Sequence, residues 1–117
     1  MNIRPDALLP LPAATFHILV ALNDGDRHGY ALLQEIADHS GGEVRLTVAT
    51  LYRSIQRMRD QRLITEVRER PAPDEDDERR RYYRITPFGR LVASAEARRL
   101  AQMVSLARKR GLGPERA

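Results

Sequence analysis

The chain has 117 residues, about the length of one domain, of which 42% are hydrophobic and 31% charged. It contains no cysteine, which excludes disulfides, thiolate zinc sites and cysteine nucleophiles. No apolar run approaches the roughly 20 residues of a membrane span, and residues 1–5 lack the basic-then-apolar pattern of a signal peptide, so we expect a cytoplasmic protein.

The positive charge of the chain is carried almost entirely by arginine. The net charge is +4, and Lys109 is the one lysine among 20 basic residues. Arginine suits phosphates and guanine edges, although the codon usage of a GC-rich genome explains the same bias. Position is more informative, because residues 79–81 are all arginine and four more arginines fall on or just after one predicted helix. These four are Arg53, Arg57, Arg59 and Arg62. Such clusters are typical of nucleic-acid-binding proteins.

The first part of the chain predicts an arm followed by two helices. Residues 1–10 form the arm, and Pro12 opens an apolar helix that ends at the turn residues 23–26. A second helix is predicted over residues 28–39, followed by a short stub of strand at residues 44–46. Its buried positions are expected at Tyr30, Leu32, Leu33 and Ile36.

A third helix is predicted over residues 48–61, with Thr47 as its N-terminal cap. Its apolar residues recur at helical spacing, at Leu51, Ile55 and Met58. Its opposite face is polar and basic, and comprises Thr50, Arg53, Gln56 and Arg57.

A β-hairpin with an acidic tip and basic shoulders is predicted next. Residues 63–70 alternate, but only the first half has the apolar content of a strand; residues 71–78 form a loop, and residues 80–85 return as a strand. The alternating acids of residues 74–78 resemble a calcium loop, but the glycine and the distal glutamate of such a loop are missing, so a solvated turn is favoured. The three histidines lack metal-ligand spacing, and we expect no metal or other cofactor.

The last helix is predicted from the cap Thr86 and the first-turn Pro87 to about residue 110. A first apolar stripe consists of Phe88, Leu91, Val92 and Ala95. A second, displaced around the axis, consists of Leu100, Met103, Val104 and Ala107. A single domain explains only the first stripe, so we expect the second to pack on the same helix of another copy, in a homodimer.

This order of elements predicts a mainly α (α+β) fold, a winged helix-turn-helix with a two-stranded wing and a C-terminal dimerisation helix. Residues 1–85 are expected to form the DNA-binding domain with its arm, and residues 86–117 the dimerisation helix and tail. In such a module the third helix enters the major groove and the hairpin reaches the neighbouring backbone.

Five short segments resemble the PadR family of transcriptional regulators, in its short form with a single C-terminal helix. They are Phe16-His17-Ile18-Leu19, His28-Gly29-Tyr30-Ala31, Thr50-Leu51-Tyr52-Arg53, Arg81-Tyr82-Tyr83-Arg84-Ile85-Thr86 and Phe88-Gly89. The resemblance implies a repressor that binds a palindromic operator as a dimer and releases it when a small aromatic or lipophilic effector binds. Drug-binding members can hold flat ligands between tryptophans; this chain has none, so that mode is not expected here.

The candidate DNA-binding residues lie on the second and third helices and at the base of the wing. They are Tyr30, Thr47, Thr50, Tyr52, Arg53, Arg57, Arg80 and Arg81. Arg53 can bind a phosphate or a guanine, and Tyr52 either packs or offers its hydroxyl to a phosphate. Thr47 is equally explained as a simple cap, and the wing arginines as partners of the acids at the hairpin tip.

No phosphate-binding glycine loop and no nucleophile–histidine–acid set can be assembled, so we expect no enzyme. The alternative function is a protein-interaction module that uses a winged-helix scaffold without binding DNA. The sequence identifies neither the operator nor the regulated genes.

Overall fold

The computed structural model describes residues 3–67 and 81–113, and it has the predicted winged helix-turn-helix fold with a long C-terminal helix. A 3₁₀ turn at Pro5–Leu8 precedes the first helix. The helices are α1 (Ala13–Leu22), α2 (Gly29–His39), α3 (Val48–Asp60) and α4 (Pro87–Lys109). The strands are β1 (Arg27–His28), β2 (Ile64–Val67) and β3 (Tyr82–Ile85). No helix within the described ranges has both the length and the apolar character needed to cross a bilayer.

Side-chain caps set the start of three helices. The Thr47 hydroxyl accepts a hydrogen bond from the Thr50 amide at 3.0 Å, and the Thr86 hydroxyl accepts one from the Gly89 amide at 2.9 Å. Both caps confirm the sequence prediction, since each oxygen satisfies an amide that has no partner within its own helix. The ring nitrogen Nδ1 of His28 accepts from the Ala31 amide at 3.3 Å, so α2 begins one residue later than predicted.

The sheet has three strands in the order β1-β3-β2, all antiparallel, whereas the sequence predicted two. Ile64 pairs with Ile85 in the wing, and Arg27 pairs with Tyr83 on the other side of β3. The expected strand at residues 44–46 is wrong. The Val44 amide bonds the Ser40 hydroxyl at 2.9 Å, so this backbone closes a turn and does not pair with a strand.

The core lies where α1, α2, α3 and the sheet meet, and its most buried members include Leu19, Leu32, Leu51 and Leu63. Tyr30 does not belong to it, contrary to the prediction, because its side chain is 43% exposed. Leu32 and Ile36 are four residues apart and take the inner face of α2, which leaves Tyr30 on the outer side and Leu33 only half-buried.

The end of α3 and the start of α4 are joined at Leu63. Arg62 has a φ of 63°, which lets the Leu63 amide bond back to the Met58 carbonyl at 2.9 Å and turns the chain into β2. The Thr86 hydroxyl donates to the Arg62 carbonyl at 2.7 Å and also lies 3.0 Å from the Leu63 carbonyl oxygen, which accepts from the Thr86 amide at 3.0 Å. Gly89 follows against the same group, and a Cβ there would lie 2.1 Å from the Leu63 oxygen. Only glycine allows α4 to approach this closely.

The inner face of α4 differs from the predicted one. Its buried residues are Gly89, Val92 and Glu96, whereas Leu91 of the predicted first stripe is 57% exposed. The residues of the predicted second stripe continue the buried line at steps of three and four, at Leu100, Met103 and Ala107. The helix therefore has one stripe along one face, and only its first half is covered by the domain.

Glu96 fastens the N-terminal arm to this face. The carboxylate is 2% exposed and accepts a hydrogen bond from the Leu11 amide at 2.9 Å. Arg99, one turn further along α4, donates to both carboxylate oxygens. The Arg99 guanidinium, aided by the Leu11 amide, outweighs burial and lowers the pKa of Glu96.

Candidate DNA-binding surface

The outward face of α3 carries exposed cations. Leu51, Ile55 and Met58 turn inward, so Arg53 and Arg57 lie on the solvent side of the helix. Within residues 3–67 and 81–113, neither guanidinium has a hydrogen bond or an ion pair. Gln56 beside them donates to Asp60 at 3.2 Å. Two unpaired guanidinium groups one turn apart are suited to bind phosphates or guanine edges.

Other arginines near this surface are held by carboxylates. Arg27 binds Glu35 at 2.9 Å, and Arg84 makes a two-point contact with Asp26 at 2.8 and 3.1 Å. The hydrogen bonds from the Arg84 guanidinium lower the pKa of Asp26. These arginines stabilise the sheet side of the domain, and the contrast with Arg53 sets the α3 pair apart.

Thr47 and Thr50 are brought together at the start of α3. The Thr47 hydroxyl donates to the Thr50 hydroxyl at 2.9 Å while it accepts from the Thr50 amide. The Thr47 hydroxyl thus donates its hydrogen bond within the protein. The Thr50 hydroxyl can donate to an acceptor outside the protein.

Tyr52 faces the protein interior. Its hydroxyl oxygen is buried, and a Cβ on Gly29 would lie 2.3 Å from it. The alternative in which Tyr52 offers this hydroxyl to a phosphate does not fit the structure, because the ring packs over Gly29 at the start of α2. The two family-like segments around Gly29 and Tyr52 are therefore in contact, and a side chain at position 29 would have to displace the Tyr52 ring.

Tyr30 follows Gly29, which contacts Tyr52 of α3, and its own side chain is exposed. Tyr83, behind this contact, is buried, and burial together with the nearby Tyr52 raises its pKa.

The base of the wing is partly neutralised. Arg81 is exposed and lies 3.5 Å from the Glu66 carboxylate, which also contacts Arg59 at 3.4 Å. The one carboxylate thus contacts two guanidinium groups, so these three side chains together carry a net positive charge. Arg80, Arg79 and the acidic residues 74–78 lie outside the described residues.

Two exposed residues of this surface were missed by sequence reasoning. Arg45 lies in the turn before α3, and Val48 is the first residue of α3 and is 47% exposed. Arg45 lies outside the helices, and Val48, three residues before Leu51, has the spacing of the buried face, so no pattern in the sequence marks either residue as exposed.

A second exposed surface lies on α4, far along the chain from α3. Leu100, Met103 and Val104 are 37%, 53% and 40% exposed, and Ala107 is half-buried. Leu106 is also exposed but lies off this line. In the described part of the chain, no group of three acidic or histidine side chains could hold a metal ion.

Comparison with known proteins agrees with this geometry. A model of the transcriptional regulator PadR-like family matches residues 18–95. An uncharacterised protein of Lysinibacillus sphaericus is 33% identical over 86 residues, which cover 74% of this chain and 76% of that protein.

Two solved structures are similar to the chain. A transcriptional regulator from Clostridium thermocellum has a TM-score of 0.69 at 25% identity, covering 81% of this chain and 89% of that one. A PadR family transcription regulator from Clostridium difficile R20291 has a TM-score of 0.70 at 19% identity, covering 84% and 97%, and shares the fold.

Proposed function

We propose that this chain, which belongs to the PadR-like family of transcriptional regulators, binds a palindromic operator as a homodimer and represses transcription until an effector binds. It is a DNA-binding regulator and not an enzyme, as the sequence indicated. The alternative of an interaction module without DNA binding finds no support in the family or in the unpaired cations of α3.

The observation that carries the proposal is the outward face of α3. Arg53 and Arg57 are exposed and have no partner within the described ranges, while Arg27 and Arg84 are held by carboxylates. In a winged helix-turn-helix this face enters the major groove, where an arginine fork can bind guanine O6 and N7 or a phosphate. We propose that Arg53 and Arg57 make these contacts to guanine or phosphate.

The surrounding candidates supply backbone contacts in this proposal. Thr50 can donate its hydroxyl proton to a phosphate, and Tyr30, exposed at the start of α2, is proposed to contact the DNA backbone as well. Thr47 acts through the cap it provides. Arg80 and Arg81 bind phosphates from the wing, with Glu66 holding Arg81 near the sheet.

The uncovered half of α4 supports a homodimer. Leu100, Met103, Val104 and Ala107 continue a face that the domain itself buries further back, so a second copy can complete the same packing. An isologous contact of this kind presents two α3 helices related by a two-fold axis, which matches a palindrome. In this scheme residues 1–85 bind DNA and residues 86–117 pair the subunits.

The effector site is proposed where the arm, α1 and α4 meet. Leu11 is tied to Glu96 of α4, so a small aromatic or lipophilic molecule that enters beside the arm would act on the helix that sets the dimer. Repression and effector release follow from the family resemblance, and the contact of the arm with α4 supports their location.

The test measures binding to a labelled duplex that spans the region upstream of the chain's own coding sequence. The native protein should bind with a steep salt dependence, and Arg53→Ala should weaken binding by roughly 5- to 100-fold without loss of folding. Arg98→Ala removes an exposed arginine from α4 and serves as the charge-matched control. Equal affinities for native protein and Arg53→Ala would remove Arg53 from the site, and no salt dependence would contradict DNA binding through these cations.

A further inference from the structure

On the basis of the proposed DNA binding through α3, we infer that the first turn of this helix reads thymine by its methyl group, with Val48 as the reading residue. The contact would give the protein a preference for A·T pairs at one position in each half-site. It is separate from the guanine or phosphate contacts assigned to Arg53 and Arg57.

The first two residues of α3 present apolar side chains to solvent. Val48 is 47% exposed, and Ala49 beside it is exposed as well. Neither side chain can form a hydrogen bond. The Thr47 hydroxyl, which could have read a base, gives its proton to Thr50 and its lone pair to the Thr50 amide. The first two positions of α3 thus present methyl groups to solvent.

Val48 is exposed, whereas the later residues on the same side of the helix are covered. Tyr52, one turn later on the same side, packs over Gly29, and Leu51 and Ile55 are in the core. At the first position of α3 the domain therefore leaves a branched apolar side chain in solvent.

In the major groove, the apolar feature of a base edge is the C5-methyl of thymine, and small aliphatic side chains contact it. The N-terminal residues of a recognition helix are those that reach base edges. A branched side chain at the first position of α3 therefore fits a thymine methyl better than any hydrogen-bonding edge.

The experiment begins with duplexes that the native protein selects from a random-sequence library, and then replaces each thymine of the selected half-site with uracil. Uracil keeps the hydrogen-bonding pattern and lacks only the methyl group. At one position the native protein should lose about fourfold in affinity, as expected for one methyl removed from an apolar contact. Val48→Ala should reduce this penalty to less than about twofold.

Val20→Ala is the matched control, because Val20 is 50% exposed on α1 and should keep the full uracil penalty. Circular dichroism checks that each variant is folded, and the uracil series on native protein needs no variant. Selected half-sites without thymine, equal binding of thymine and uracil duplexes, or an unchanged penalty in Val48→Ala would each overturn the inference while leaving DNA binding intact. Failure to select any sequence would instead overturn the proposed function.

Discussion

The two halves of α4 present the same face to different surroundings. In the first half Gly89, Val92 and Glu96 are buried by the domain and the arm; in the second half Leu100 and Met103 continue that line into solvent. On this face the side chains of the second half are more apolar, yet they are exposed within the described part of the chain. The direction in which a residue of α4 points is set by helix geometry, whereas its burial depends on what packs against that face. In the first half this is the chain's own domain, and in the second half we propose a second subunit.

The largest effect should come from a charge placed in the exposed half. Met103→Glu puts one carboxylate per subunit into the proposed interface, so two buried charges should raise the dimer dissociation constant about a thousandfold, or roughly 4 kcal/mol. Sedimentation equilibrium measures this. Ser105→Glu adds the same charge to the other side of the helix and should leave the dimer intact. A native protein that is monomeric at high concentration would contradict the proposed pairing of two subunits through the second half of α4.

The next effect concerns the close approach in the buried half. Gly89→Ala should destabilise the fold by about 3 kcal/mol, because the added Cβ would lie 2.1 Å from the Leu63 carbonyl oxygen. Helix propensity alone predicts the opposite sign, by roughly 1 kcal/mol. Urea unfolding separates the two, with Ser94→Ala on the exposed side of α4 as control. A stabilised Gly89→Ala would show that α4 does not press on Leu63.

A smaller effect should follow from the buried carboxylate. Glu96→Ala leaves the Leu11 amide and the partly exposed Arg99 without their acceptor, at a cost of about 2 kcal/mol in unfolding free energy. Thermal and urea unfolding should both show the loss, and protease cleavage near the arm should become faster. Native stability and unchanged cleavage would mean that the arm is held by Leu8 and Leu9 alone.

The smallest effect is the pH dependence of the same group. The pKa of Glu96 is lowered in the folded chain from its ordinary value of 4.5, so its stabilisation is complete above that value and is lost as the pH falls through the folded pKa. Glu96→Gln should flatten the acid limb of a stability-against-pH curve relative to the native protein. Asp26, whose pKa is lowered by Arg84, contributes equally to both curves. Identical acid limbs would argue against the Glu96–Arg99 pair.

Local signals in the sequence predicted most of the fold. Thr47 and Thr86 stand one residue before their helices, and the apolar spacing of Leu51, Ile55 and Met58 placed the face of α3 correctly. The order of elements then led to the winged helix-turn-helix. These features depend on residues close together in the chain, and their chemistry is visible without tertiary structure.

What the sequence did not predict depends on distant partners. The stripe of α4 was misplaced because a glycine and a glutamate take positions that hydrophobicity assigns to apolar residues; Glu96 is buried only because Leu11 and Arg99 satisfy it. Two residues of β1 are too few to show a period. The ring of Tyr52 is covered by Gly29, 23 positions earlier in the chain, which no helical spacing reveals.

We propose that two copies of the chain, paired through α4, place two α3 helices on one operator. Hydroxyl-radical footprinting on the upstream duplex tests it most directly. The native protein should protect two patches about one helical turn, roughly 10 base pairs, apart, and Met103→Glu should lose both together at the same protein concentration. A single protected patch, or two patches that Met103→Glu leaves unchanged, would contradict the account.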